Sequence, residues 1–154
     1  MDPAAPMRQD QIVTLLNGLL ETCRDGEFGF SACARHVGSA ELREVFAMRA
    51  ADCQRAALEL GTYVAEYGGT PDSGGSAAGA LHRGWVEVIS ALPGGNDHAM
   101  LQECQRGEDA AFERYRDALG QTLPEALRIV IERQFAGVQR NREQIQELRA
   151  RYPG

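Results

Sequence analysis

The sequence predicts an all-α protein: four long helices side by side, with a fifth, shorter helix between the second and third. Three observations carry this. Apolar residues recur at alternating steps of four and three along four segments, the spacing of helices packed near 20°. The six prolines stand at positions 3, 6, 71, 93, 124 and 153, which leaves long stretches without a residue that costs about 3 kcal/mol inside a helix. No segment sustains the period of two that a half-buried strand requires.

The first helix, about 8–36, carries Ile12, Leu16, Leu19, Cys23, Gly26, Phe30, Cys33 and Val37 on one seam. It breaks at Gly38, and Ser39 is placed to cap the next helix, with Glu41 and Glu44 in its first turn. That second helix, about 40–67, carries Leu42, Phe46, Arg49, Cys53, Ala56, Leu60, Tyr63 and Tyr67. A glycine-rich loop from Tyr67 to Gly75 follows. The fifth helix, about 76–92, holds Leu81, Trp85, Val88, Ile89 and Leu92 and is weakened by Gly79 and Gly84. At 1.5 Å per residue it rises roughly 25 Å, enough with its loop to carry the chain back along the bundle. The second and third long helices then run parallel, which is the ferritin-like arrangement rather than simple up-and-down winding. After a loop at Pro93 to Asn96, the third long helix, about 97–119, is less regular, with Met100, Cys104, Gly107, Ala111, Tyr115 and Ala118. Gly120 to Pro124 forms the last loop. The fourth, about 124–151, carries Leu127, Ile131, Gln134, Val138, Asn141, Ile145, Leu148 and Tyr152.

Composition narrows the partners. The chain has 154 residues, the size of one domain, with 44% hydrophobic and 25% charged residues, which excludes a largely disordered chain. All 16 basic residues are Arg, against 22 acids, for a formal charge of -6; that balance argues against a nucleic-acid partner. No apolar run reaches the roughly 18 to 20 residues of a membrane span, and the N-terminus lacks the layout of a secretory signal. Cys23, Cys33, Cys53 and Cys104 show no C-x-x-C spacing and lie on helix seams. They read as small hydrophobes in a reducing, cytoplasmic compartment.

The halves repeat. Cys23-Arg-Asp-Gly26-Glu27 and Cys104-Gln-Arg-Gly107-Glu108 both read C-x-x-G-E, 81 residues apart. Leu42-Arg43-Glu44-Val45 and Leu127-Arg128-Ile129-Val130 stand 85 apart, and Gln54-Arg55 matches Gln139-Arg140 at the same offset. Two similar helical hairpins about a pseudo-twofold axis would give this pattern. The run from Ala78 to Trp85, the segment Glu103 to Asp109 and the hairpin–crossover–hairpin order resemble one bacterial family. It comprises ferritin-like four-helix-bundle proteins described as a domain of unknown function, found mostly in proteobacteria. The resemblance covers about residues 10–150 and implies a ferritin-like fold without an activity.

Glu108 has Leu101, Cys104, Ala111, Phe112 and Tyr115 as helical neighbours, and Glu27 has Leu20, Cys23, Phe30 and Ala34. A carboxylate so placed needs a partner, because leaving it charged and alone costs several kcal/mol, on the order of a large pKa shift. Ferritin-like di-iron proteins use one Glu on each of two helices and Glu-x-x-His on each of the other two. Pairing the helices about their turns sets Glu27 level with Asp52 and Glu108 level with Gly137. The matching triplets end in Arg55 and Arg140, not histidine, and the fourth helix offers no carboxylate there. His36, His82 and His98 lie near loops or on the crossover.

The reading these residues favour is arginine in place of metal, with no cofactor. It is a buried polar network of Glu27, Glu108, Arg49 and Gln134, with Asp52, Arg55 and Arg140 as further members. Its alternative is an atypical centre for iron or manganese on Glu27, Asp52 and Glu108. Trp85, Leu81 and Val88 read as the packing face of the crossover, His82 as a capping residue, and Arg140-Asn-Arg142 as a solvated face beside Glu143 and Glu147. No catalytic Ser-His-Asp set or phosphate-cradling loop is present. Three function classes follow. The first is a non-enzymatic interaction or stress-associated bundle that associates with itself or a partner protein. The second is a metal-dependent oxidoreductase or storage bundle. The third is a small-ligand binder using space beside Gly26 and Gly107.

Overall fold

Five helices form where proline and glycine leave room for them. They are α1 (Gln9–His36), α2 (Ala40–Glu66), α3 (Ala77–Ser90), α4 (Asn96–Leu119) and α5 (Glu125–Arg151). The computed structural model describes residues 5–72, 74–91 and 96–153. The loop at Pro93, the end of the crossover at Leu92, and the side chains of His82 and Ile89 lie outside what it describes. Among the described residues there is no strand, and the fold is all-α and ferritin-like.

Local chemistry fixes the ends. Ser39 Oγ accepts a hydrogen bond from the Leu42 N–H and starts α2. At the far end of α2, Gly68 adopts φ +83° while its N–H and that of Gly69 bond the Ala65 and Val64 carbonyls. Only glycine takes that left-handed stop without strain.

The crossover runs along α1 from one end to the other. Gln9 donates to the Tyr67 carbonyl, and Asn17 bonds the Thr70 carbonyl and the Asp72 N–H. Asp25 accepts from both the N–H and the hydroxyl of Ser76. Arg83 stacks over Phe28 at 5.0 Å, and His36 meets Glu87 at 3.0 Å. Each step moves further along both segments, so α3 ends beside the α1–α2 turn and α4 must start there. This makes α2 and α4 parallel, as the length of the crossover requires.

The α3 face facing the bundle is not the one the sequence suggests. Val86 is fully buried, whereas Leu81 and Val88 are 77% and 64% exposed and Trp85 is 40% exposed. In a short helix with two apolar stripes, periodicity alone does not say which one turns inward.

Two apolar cores stack along the bundle axis. One joins the first half of α1, the second half of α2, the second half of α4 and the first half of α5, around Leu16, Leu20, Leu60, Tyr115 and Ile131. The other joins the opposite halves with Val86, around Cys33, Leu42, Phe46, Met100 and Ile145. Between them lies a waist with different chemistry. No helix is long and apolar enough to cross a membrane among the described residues.

Candidate functional site at the bundle waist

The waist centres on one ion pair between the two hairpins. Glu108 on α4 is 1% exposed, and Arg49 on α2 reaches it from the opposite hairpin. Arg49 Nε donates to Glu108 Oε1 at 2.7 Å and Nη2 donates to Oε2 at 3.4 Å, a two-point fork. The guanidinium also lies over Phe30, 5.6 Å from the ring centroid. Burial pushes the Glu108 carboxyl above its ordinary range, and Arg49 draws it back only in part.

A second polar chain leads outward. Cys23 Sγ lies 3.2 Å from Tyr115 Oη, and Tyr115 donates to Gln134 Oε1 at 2.8 Å. The other end of that amide donates to Glu59 Oε1 at 2.8 Å and to the Ala56 carbonyl. Glu59 in turn accepts from Arg133 at 2.6 Å. Because the tyrosine proton goes to Gln134, the Cys23 thiol is left as donor to the tyrosine oxygen. Both groups are pushed up in pKa, chiefly by burial.

The expected network therefore divides. Glu108 and Arg49 come together. Gln134 is close by but bonds Tyr115 and Glu59. Glu27 does not join them: it pairs with Arg24 of its own helix at 2.7 Å. Asp52 pairs with Arg55, also along its own helix, with the arginine 70% exposed. Arg140 is exposed at the rim. The meeting of Asp109 with Arg142 and of Tyr115 with Gln134 sets Glu108 nearer the level of Asn141 than of Gly137.

The reason Glu27 and Glu108 part company is helical phase. Along α1 the inward seam runs Leu19, Cys23, Gly26, Phe30, with Gly26 half-buried and so close to α2 that a Cβ there would sit 2.7 Å from Cys53 Sγ. Along α4 it runs Leu101, Cys104, Glu108, Ala111, Tyr115. From the matching cysteines, α1 takes a step of three where α4 takes a step of four. One residue is about 100° of rotation, so Gly26 faces inward on one hairpin and Glu108 on the other, while Gly107 is exposed. Glu59, which the sequence reading missed, sits three residues past the seam residue Ala56. That spacing could have marked it as a partner for Gln134.

These residues do not fit a di-iron centre. Both oxygens of Glu108 are engaged by Arg49, Glu103 pairs with Arg106, and Glu27 and Asp52 face arginines of their own helices. Among the described residues no group of three His, Cys, Asp or Glu side chains converges on a point that could hold a metal ion. Around the ion pair, an open cleft of about 1130 Å³ separates the hairpins, lined from both of them and, at its mouth, by Leu81 and Trp85 of α3.

Comparison with known proteins agrees with the architecture. A two-domain protein from Anabaena variabilis, with DJ-1/ThiJ/PfpI-like and ferritin-like domains, superposes with a TM-score of 0.76 at 17% identity, over 96% of this chain and 41% of its own. The chain thus spans about two-fifths of that protein. A ferritin-like, diiron-carboxylate protein from Bacillus anthracis gives 0.72 at 17% identity, over 92% and 96% of the two chains. The dodecameric thioferritin of Bacteroides fragilis, a bacterioferritin-related protein, gives 0.74 at 15% identity, over 92% and 85%. No curated protein matches in sequence. The family described as a domain of unknown function, DUF2383, matches residues 11–121, most of the ordered bundle, and the chain belongs to that family.

Proposed function

We propose that this chain is a non-enzymatic bacterial and cytoplasmic bundle that acts by association, with a Glu/Arg pair at the level where di-iron relatives of the fold carry metal ligands. The observation behind it is the fork from Arg49 to Glu108. A guanidinium stays charged at any physiological pH and occupies both carboxylate oxygens, so it neutralises the one central acid without an ion. Elemental analysis of protein purified without chelator tests this. Substoichiometric iron and manganese is the expected result, and one metal ion or more per chain overturns it.

Association with a second copy is supported by the exposed face of α3, which continues from the mouth of the waist cleft at Leu81 and Trp85. Leu81, Trp85 and Val88 stand at i, i+4 and i+7 and form an exposed apolar stripe. The dodecameric assembly described for the Bacteroides fragilis protein fits the same reading. Light scattering should give a mass of at least two chains. Leu81→Glu with Val88→Glu should reduce it to one, and a wild-type monomer would count against self-association.

A further inference from the structure

Protein interiors are close-packed, so a cleft of this size that reaches a buried ion pair at the centre of a bundle calls for a reason. The waist cavity lies between two well-packed apolar cores and is not a failure of either. Small residues make its walls, among them Gly26, Ala56, Ala111 and Gly137. A mid-helix glycine costs about 1 kcal/mol relative to alanine. At Gly26 the contact with Cys53 explains it. At Gly137 packing does not: a Cβ there would meet only Arg140 Nη2, at an ordinary 3.7 Å. That glycine weakens α5 and relieves no clash, while keeping the wall beside the slot thin.

Charge marks the same space. Six arginines and four acids line it, in a chain where acids outnumber arginines 22 to 16. Arg49, Arg55, Arg106, Arg114 and Arg133 each have a carboxylate within 4 Å. Arg140 forms no ion pair among the described residues, and its guanidinium lies back over Gly137 at the rim. Inside, the polar groups are satisfied by one another, so what remains for an occupant is the apolar surface of Phe30, Ala111 and Val138, with Leu81 and Trp85 at the mouth. An occupant needs an apolar body and one anionic end.

We infer that the waist cavity binds an amphipathic carboxylate, an apolar chain or ring with a single anionic group, its body between the hairpins and its carboxylate on Arg140. The inference rests on the metal-free centre proposed above, since ions and their ligands at this level would fill the slot.

Titration calorimetry of the whole chain with decanoate and with 1-decanol tests it, with metal content measured on the same sample. Decanoate should bind the wild type. Arg140→Gln should weaken decanoate about tenfold, the loss of one charge-assisted contact, and change 1-decanol less than about twofold. Gly137→Leu should abolish binding of both while helical circular dichroism is kept; Ala111→Leu does the same from the neighbouring helix α4 should the first variant not fold. Three results overturn the inference: no heat with decanoate, equal binding by wild type and a folded cavity-filled variant, or an Arg140→Gln variant that binds decanoate as the wild type does. Metal-free protein that ignores decanoate sinks this inference alone, whereas stoichiometric metal sinks the proposed centre and this inference with it.

Discussion

Arg49 Nε stands 2.7 Å from Glu108 Oε1, with the two side chains only 11% and 1% exposed. This is the sole deeply buried ion pair that joins the two hairpins among the described residues. Breaking such a pair costs about 3–5 kcal/mol, because the remaining charge is left without water or partner. Replacing both members with apolar groups of similar volume is often neutral. Arg49→Met and Glu108→Leu should therefore each lose about 3–5 kcal/mol in urea denaturation. The double variant should recover most of that loss. Additive losses in the double variant would show that the pair is not one unit.

The same pair imposes a pH dependence. Desolvation raises the Glu108 carboxyl, the neighbouring Asp109 charge adds to it, and Arg49 opposes both. A raised folded-state pKa means that the folded chain holds a proton after the unfolded chain has released it. The stability it contributes is complete below the ordinary carboxylate pKa and is lost as pH rises through the folded value. Glu108→Gln has no such titration. From pH 4 upward the wild type should thus lose stability relative to Glu108→Gln, measured as the difference between their urea midpoints at constant slope. A wild type that gains on the variant over that range would contradict the direction of the shift.

The helices were legible because their signals are local and redundant. Seam spacing, proline positions and the Ser39 cap all place the ends of α1 and α2 within a residue or two of where they stand. The central pair was legible for the same reason: Arg49 occupies a seam position, and five helical neighbours of Glu108 (Leu101, Cys104, Ala111, Phe112 and Tyr115) are apolar. What the sequence could not supply is relative rotation. The duplication suggests that Glu27 and Glu108 play equivalent parts, yet a one-residue difference in seam phase sends Glu27 to Arg24 instead. On α3 the choice between the Val86 stripe and the Leu81–Trp85 stripe is likewise decided by what α1 presents, namely Asp25, Phe28 and His36.

Asp25 is the anchor of that crossover. Its carboxylate accepts from the Ser76 N–H at 2.7 Å and the Ser76 hydroxyl at 2.6 Å, and Ser76 Oγ in turn accepts from the Gly79 N–H at 2.9 Å. The arrangement caps the start of α3 and sets a negative charge at a helix N-terminus. Asp25→Ala removes both bonds and should cost about 1–3 kcal/mol. The loss should be local. Hydrogen exchange should quicken across α3 while the amides of α2 and α5 keep their protection, and equal acceleration everywhere would mean that the crossover is part of the global folding unit.

The four cysteines give the most direct readout of helix packing at the waist. None is in a disulfide and all are buried, at 6% exposure or less. Burial pushes the Cys53 thiol up to about 12 even with Arg49 beside it, and Cys23 and Cys104 are raised as well. Across α1 and α4, the Cys104 thiol donates a weak hydrogen bond to Cys33 Sγ at 3.6 Å, with no disulfide between them. Alkylation requires the thiolate, so iodoacetamide should label the folded chain slowly at pH 7.5 and all four positions rapidly once urea unfolds it. The folded rate then reports how well the packed helices shield the thiols. In Arg49→Met, opening of the waist becomes easier and Cys53 should label faster by about tenfold for every 1.4 kcal/mol lost. If Cys53 in the folded wild type labelled as fast as in urea, the ion pair could not be sealing the centre of the bundle.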